Sequence, residues 1–330
     1  MTLAPALHCP ACDAVLFSED RFCEACGTEV SAMTGPGADG VACQACGAPG
    51  EAIDAGGYCG ICGVRQRGAG SRSELDLTIA AGVSEQGRSH RRNEDAFELE
   101  RVGENGVVAV VCDGISTASS GDAAARAAAA SAAEALARAL RDGVDLAAAT
   151  CAAVLSARDA VERVPMTRSA ALALPSCTLV SAVSQDSQVV VGWVGDSRAY
   201  WLAPGEDRQL TVDDSWAAEQ VAEGMPAPEA FADHRAHAIT GWIGADSPKE
   251  VPQVTSLVVS SPGRLVLCTD GLWNSAPAAA DLSELIRGLE AAATPASVAR
   301  HLADAAIARG ARDDVTVAVI DLRPQGGAKP

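Results

Sequence analysis

The run Val107–Gly114, Val-Val-Ala-Val-Val-Cys-Asp-Gly, constrains the fold more than any other stretch. Six apolar residues, mostly β-branched, end abruptly in a carboxylate and a glycine. Such a run reads as a core strand that delivers one acid to the rim of a buried sheet, with the glycine letting the backbone turn away sharply. The device recurs. Arg264–Gly271 reads Arg-Leu-Val-Leu-Cys-Thr-Asp-Gly, Val189–Asp196 ends in an acid, and in Asp313–Ile320 two acids precede Val-Thr-Val-Ala-Val-Ile. Acids at the ends of four apolar strands gather carboxylates at one sheet edge. That cluster repels itself unless cations fill it. A single Asp at a turn is ordinary. Four at strand ends, with Glu94-Asp95 as a further pair, point to metal.

The remaining elements follow from pattern. Leu75–Val83 is a candidate first strand. Phe97–Val102 and Val107–Cys112 form a strand pair closed by Glu104-Asn105-Gly106. Ser120–Arg141 is Ala-rich with scattered Arg and Glu, a long helix able to lie flat on a sheet because Ala permits close approach. Asp145–Val164 is a second helix, stopped by Pro165. Strands follow at Ser176–Ser184, Gln188–Val194 and Arg198–Leu202. Asp207–His237 is polar and Pro-interrupted, with a short helix after Asp213-Asp214-Ser215, and reads as an insertion at the edge of the site. Val254–Val259 and Arg264–Cys268 are strands, Asp281–Leu289 and Pro295–Arg309 helices, and Val315–Leu322 the closing strand before a tail, 323–330. Strands and long helices come in blocks without βαβ alternation. That favours an α+β fold of antiparallel sheets with helices packed outside.

The N-terminal segment has a different logic. Eight of the twelve cysteines fall in four Cys-x-x-Cys pairs: Cys9/Cys12, Cys23/Cys26, Cys43/Cys46 and Cys59/Cys62. Phe22-Cys23-Glu24-Ala25-Cys26-Gly27 matches Tyr58-Cys59-Gly60-Ile61-Cys62-Gly63, an internal repeat. Four thiolates in tetrahedral reach suit Zn²⁺. The expectation is two structural Zn²⁺ in tandem zinc ribbons, 9–27 and 43–63, within a module spanning 1–64. Cross-braced pairing of Cys23/Cys26 with Cys43/Cys46 has legal spacing too. Residues 65–74, polar and Gly/Ser-rich, read as a linker to a domain spanning 75–322. Through Gln66 the segment carries two arginines against eight acids, net −6. A nucleic-acid reader needs the opposite sign. A metal-stapled fold that contacts a protein partner is the better reading, and a redox role is disfavoured because no βαβ context surrounds the pairs.

The whole chain of 330 residues is −18, which disfavours nucleic acid and anionic membranes as partners and suits a protein that binds divalent cations. The longest uncharged stretch, Ser169–Gln185, carries Pro175 and several hydroxyls and does not read as a membrane span. The first residues lack a charged-then-apolar signal pattern. Cysteines used as metal ligands fit a reducing compartment, so the expected location is cytoplasmic.

Six motifs occur in a telling order: Asn93-Glu94-Asp95, Val111-Cys112-Asp113-Gly114, Val194-Gly195-Asp196-Ser197-Arg198, Leu210-Thr211-Val212-Asp213-Asp214-Ser215, Cys268-Thr269-Asp270-Gly271-Leu272-Trp273 and Arg312-Asp313-Asp314-Val315-Thr316-Val317. In this order they resemble the metal-dependent serine/threonine protein phosphatases of type 2C, from about Leu75 to Leu322. The resemblance implies a four-layer αββα sandwich of two antiparallel sheets flanked by helices. It also implies two Mg²⁺ or Mn²⁺ ions at one end, with a third, weaker site. Carried over, Asp95 ligates one ion and Glu94 holds metal-bound water or an ion nearby. Asp113 bridges the ions, the Gly114 carbonyl is a backbone ligand, Asp270 and Asp313 ligate the other ion, and Asp196 belongs to the weaker site. The implied activity is hydrolysis of phosphoserine and phosphothreonine, with phosphoproteins as substrates and a kinase or its target as a possible partner.

Oxygen-only ligands suit Mg²⁺ or Mn²⁺ rather than Zn²⁺. Two such ions roughly 3.5–4 Å apart lower the pKa of a bridging water and neutralise phosphoryl oxygens. No covalent intermediate is needed, and Cys112 and Cys268 read as core residues. The chain departs from the family pattern in three places. An Arg four residues before the Glu usually grips the phosphate. Here His90 fills that slot amid Arg88, Arg91 and Arg92, so His90 or Arg91 takes the role unless the segment is a solvated basic turn. Asp113-Gly114-Ile115-Ser116 lacks the histidine that some members use as leaving-group acid. Asp314 stands where Asn is common and adds charge. The rival readings are a non-catalytic adaptor that keeps the fold for binding, and a zinc-ribbon nucleic-acid binder.

Overall fold

A computed structural model describes residues 71–324 except 89, 91, 119, 166–173, 250 and 290–292, together with 7–8, 15–16, 42–43, 46–53 and 59–62. The chain divides into two compact units, Met1–Ala69 and Gly70–Pro330. In the first, β1 (Leu7–His8) pairs antiparallel with β2 (Val15–Leu16), and a 3-10 turn spans Gly50–Ala52.

The second unit opens with a hairpin, β3 (Arg72–Asp76) and β4 (Ala80–Glu85). The sequence reading of one strand over Leu75–Val83 missed its turn. Thr78 takes a positive φ of 71°, and its N–H donates to Asp76 Oδ1 at 2.7 Å, an Asx-type turn that reverses the chain. Arg72–Glu74, read as the end of a linker, lie in β3. Arg72 there pairs with Glu74, Glu85 and Asp304, and charge of this kind blunts an exposed edge strand.

Then follow β5 (Asp95–Val102), β6 (Gly106–Asp113), α1 (Gly121–Arg141), α2 (Leu146–Glu162), β7 (Leu179–Gln185), β8 (Gln188–Val194), β9 (Arg198–Leu202) and β10 (Arg208–Gln209). After these come α3 (Trp216–Ala222), α4 (Ala227–Ala232), β11 (Gln253–Val258), β12 (Gly263–Cys268), α5 (Asp270–Trp273), α6 (Ala279–Arg287), α7 (Pro295–Ala308) and β13 (Val315–Leu322). One sheet has the order β10-β9-β12-β13-β4-β3 and the other β11-β8-β7-β6-β5, every pairing antiparallel. This is the expected α+β sandwich.

Alternation along β6 explains its unbroken apolar sequence. Val107, Ala109 and Val111 face the other sheet, meeting Leu265, Leu267, Ala318 and Ile320 in the central core. Val108, Val110 and Cys112 point the other way, into α1 and α2. Both faces are covered, so neither needs polar residues. The outer face of the second sheet is covered likewise: Val266, Val317 and Val319 pack against Leu272, Leu282, Val298 and Leu302 from α5, α6 and α7. The layers run helix, sheet, sheet, helix. Among the described residues no helix is long and apolar enough to cross a membrane.

The buried stripe of α1 is Ala124, Ala125, Ala128, Ala129, Ala132, Ala133 and Ala137, relieved by Leu136 and Leu140. Small side chains bring the helix backbone close to β5 and β6. Ala128→Leu should therefore overpack this layer and cost about 1–3 kcal/mol. Ala130→Leu, on the exposed face, should stay within about 0.5 kcal/mol of the parent. Denaturant unfolding of the two variants checks the difference, and equal midpoints would mean the helix is not seated as described.

Candidate functional site

The acids at the strand ends meet at one end of the sandwich. Asp95 opens β5, Asp113 closes β6, and the register sets them directly opposite each other. Asp196 occupies the Gly195-Asp196-Ser197 turn between β8 and β9. Asp270 begins α5 immediately after β12. Asp313 and Asp314 immediately precede β13, whose Val317 pairs with Cys268 of β12. The glycines after Asp113 and Asp270 do not serve as left-handed turns, since neither has a positive φ. They are required by close approach. A Cβ on Gly271 would lie 2.0 Å from the Asp314 carbonyl oxygen, and one on Gly114 would lie 2.5 Å from the Gly121 backbone. Asp270 starts a four-residue helix that the sequence reading did not place.

Crowding and burial raise four of these carboxylates, Asp95, Asp113, Asp196 and Asp270. Burial pushes Asp113 well above the usual carboxylate range, and the charges of Asp95, Asp270, Asp196 and Asp313 push further. Burial also lifts Asp95, with the charge of Asp314 adding to it, although hydrogen bonds from Thr316 and Thr269 oppose the rise. Burial and the charge of Asp270 bring Asp196 to about 8. Burial and the charge of Asp313 bring Asp270 to about 6. Asp270 Oδ1 is buried and has no hydrogen-bond partner among the described residues, while Oδ2 accepts from Asn274 Nδ2 at 3.1 Å. A buried, unpartnered acceptor amid like charges calls for a cation. The donor set is all oxygen, as Mg²⁺ or Mn²⁺ requires. Asp95, Asp113, Asp270, Asp313 and Asp196 therefore fit such ions.

Hydroxyls that the sequence reading overlooked hold these acids in place. Thr269 Oγ1 donates to Asp95 Oδ2 at 2.9 Å and accepts from Thr316 N at 3.0 Å. Ser84 and Thr316 share a hydroxyl hydrogen bond at 2.7 Å. Asn93 donates to Ser84 Oγ at 2.7 Å and accepts from Asp95 N at 3.0 Å. The chain of contacts links β4, β13 and β12 of one sheet to β5 of the other. On the other side, Thr178 Oγ1 accepts from Asp113 N at 3.2 Å and bonds Ser197 Oγ at 2.7 Å. Trp273 Nε1 donates to the Asp196 carbonyl at 2.9 Å. Arg198 stacks on that indole, 3.8 Å from its centroid, and forks onto Asp213 at 2.7–3.2 Å. This pair ties the Asp196 turn to the insertion, which carries α3 and also α4, a second short helix not expected from sequence.

Asp314 is not simply an extra charge. It is 2% exposed. Its Oδ1 accepts from Gly87 N at 2.6 Å, and its Oδ2 accepts from Glu94 N at 2.6 Å and lies 2.9 Å from His90 Nδ1. The hydrogen bond to Asp314 raises His90 to about 9 against the cost of burial. His90 Nδ1 is also 3.3 Å from Asp313 Oδ1. Ser116 Oγ donates to Glu94 Oε2 at 2.7 Å and lies 3.4 Å from His90 Nε2. Arg92 is exposed and reaches Asp122 at 3.4 Å. Arg91 lies outside the described residues.

In the first unit Cys43, Cys46, Cys59 and Cys62 converge, their Sγ atoms all within 4.8 Å of one another. Of the pairings the spacing allows, this joins the third and fourth Cys-x-x-Cys. The Cys46 thiol is drawn down by the Ala48 backbone, yet its three sulfur neighbours and burial together push it up to about 12. Four cysteine sulfurs this close suit Zn²⁺, which would hold them as thiolates. Cys9, Cys12, Cys23 and Cys26 lie outside the described residues.

Raised carboxylates set the sign of the pH dependence. Their contribution to stability is full below the unfolded carboxylate range near 4 and is lost as pH rises through about 6 for Asp270 and about 8 for Asp196. Cation-free protein should therefore melt at progressively lower temperature from pH 5 to 8.5, and excess Mn²⁺ should flatten that decline. At pH 8, Asp113→Asn should raise the cation-free melting temperature and remove most of the Mn²⁺ effect. Melting that ignores Mn²⁺ in the parent protein would contradict a cation site.

Residues 85–305 match the family described as Protein phosphatase 2C, a span that includes Asp95, Asp113, Asp196 and Asp270 and stops short of Asp313. The chain is 32% identical over 145 residues to a serine/threonine phosphatase stp of Listeria innocua, covering 44% of this chain and 56% of that protein. It is 34% identical over 148 residues to the serine/threonine protein phosphatase PstP of Mycobacterium tuberculosis, covering 44% of this chain and 27% of that protein. The matched region thus spans about half or less of these curated relatives. The solved catalytic domain of a PstP in complex with two manganese ions is 25% identical with a TM-score of 0.57, over 76% of this chain and 98% of that one. With residues 85–305, more than half of the chain, matching the family and the acids gathered as described, this chain belongs to the protein phosphatase 2C family.

Proposed function

We propose that the chain is a Mg²⁺/Mn²⁺-dependent phosphatase that hydrolyses phosphoserine and phosphothreonine in proteins. The observation that carries this reading is the convergence of Asp95, Asp113, Asp196 and Asp313 on Asp270, whose buried Oδ1 has no hydrogen-bond partner among the described residues. Asp95 and Asp113 would hold one ion with the Gly114 carbonyl, Asp113 would be shared with a second ion held by Asp270 and Asp313, and Asp196 would serve a third, weaker one. Glu94 stands nearby. When bound, the ions supply charge for the phosphoryl oxygens and acidify water at the site. The chain's own part is positional. Thr269 and Asn274 orient Asp95 and Asp270, and Thr178 fixes the end of β6. His90 or Arg91 would take the phosphate. The reaction cleaves the bond between phosphorus and the serine or threonine oxygen, with water as nucleophile. Cysteine is unsuited to that role here, because burial pushes the Cys112 and Cys268 thiols up and keeps them protonated.

The N-terminal unit would carry two structural Zn²⁺, one on Cys43, Cys46, Cys59 and Cys62 and one on Cys9, Cys12, Cys23 and Cys26, and would dock a protein partner such as a kinase or its target. A cytoplasmic setting keeps those thiols reduced.

Phosphopeptide hydrolysis by the full chain should require Mn²⁺ or Mg²⁺, stop with EDTA, and fall by at least about 100-fold in Asp270→Asn. Turnover that survives EDTA would overturn the mechanism. Intact folding and Mn²⁺ binding without turnover would mean a binding module that has kept the fold. Thiol modification followed by colorimetric zinc assay should release about two Zn²⁺ per chain, and one or none would refute the paired ribbons.

A further inference from the structure

The site has an unusual feature on its substrate side. The residue four before Glu94 is an imidazole, and the residue beside Asp313 is a buried acid aimed at it. Asp314 has little freedom of its own. Backbone N–H groups from two segments, Gly87 and Glu94, hold its two oxygens at 2.6 Å, so the position of its Oδ2 follows from the backbone. That oxygen takes His90 Nδ1 at 2.9 Å. The His90 carbonyl is held as well, accepting from Gln86 Nε2 at 2.8 Å. Ring and main chain are therefore both anchored. The opposite ring edge, Nε2, faces Ser116 Oγ at 3.4 Å, next to Glu94 Oε2, to which Ser116 donates at 2.7 Å.

We propose that Asp314 is a positioning residue that acts through His90, and that the pair presents the Nε2 edge of His90 to the substrate's phosphoryl oxygens, beside a Ser116 hydroxyl that is committed to Glu94. An arginine carries five donors on a long side chain and can meet an anion without such a partner. An imidazole has two ring nitrogens and reaches an anion with only one of them. It works here only if the other nitrogen is held, and Asp314 holds it. The pairing also predicts a sign. An arginine introduced at position 90 would be captured by Asp314 and drawn off the substrate, so the acid that helps the native residue would hinder the replacement. The inference rests on the phosphatase reading for its substrate. Its core claim concerns phosphate binding, which can be measured without turnover.

The test uses the full chain with saturating Mn²⁺ and inorganic phosphate as the probe, read by calorimetric titration, with KM and kcat for a phosphopeptide alongside. His90→Ala and Asp314→Asn should each weaken phosphate binding by about 5- to 20-fold, with KM rising in step and kcat changing less. The double variant should be no worse than either single one, because both remove the same contact. In a His90→Arg background, Asp314→Asn should tighten phosphate binding. Unchanged binding in His90→Ala, additive losses in the double variant, or a His90→Arg protein that Asp314→Asn weakens would each overturn the proposal. So would a loss of Mn²⁺ affinity in Asp314→Asn large enough to account for its effect on phosphate, since the acid would then be serving the ions. A parent protein that binds phosphate through this pair but does not turn over would leave the inference standing and remove the phosphatase reading instead.

Discussion

Mutual repulsion among buried carboxylates is the constraint on which the rest of this structure depends. Asp113 feels the charges of Asp95, Asp270, Asp196 and Asp313 at once, in a place where burial already penalises ionisation. Left to relax, such a group would separate or take up protons. It is held together because each acid sits at the end of a strand or in the turn that follows one, and those strands belong to two sheets packed face to face. The energy that confines the charges is therefore the hydrophobic energy of the sandwich, delivered through the backbone.

The delivery is short-range and largely polar. Thr269 touches Asp95, the Thr316 N–H touches Thr269 and Ser84 touches Thr316, so one sheet reads the position of an acid on the other through three hydroxyl residues and one backbone amide. Gly271 lies against the Asp314 carbonyl with no room for a methyl group. The segments bearing Asp270 and Asp313 are thereby set against each other at main-chain distance. Function and packing are hard to separate in such a region, because the residues that touch the acids are also those that seal the end of the core.

Much of this was legible in the sequence, for a reason specific to the layered fold. Strands covered on both faces lose the polar alternation of a surface strand, so Val107–Cys112 announces itself as buried and Asp113 as the point where burial ends. The turn at Thr78 was not legible, since its signal is one Asp side chain capping one N–H. Nor was α5, whose four residues are too few to show a helical period. The supporting hydroxyls were invisible for a deeper reason. Thr269 and Asp95 are 174 residues apart, and Ser84 and Thr316 are 232 apart, so no local pattern could join them. Asp313 and Asp314 look alike in sequence. Only the fold distinguishes the part-exposed acid from the buried one that fastens two backbone segments.

The alanine stripe of α1 has a consequence beyond spacing. A leucine or methionine entering a core must give up rotamer freedom, whereas an alanine has none to give. The helix that covers β6 is therefore seated with almost no side-chain entropy lost along its central turns. It also has few alternative side-chain arrangements through which the layer could drift. The strand that ends in Asp113 is thereby backed by a neighbour that has almost nothing to rearrange.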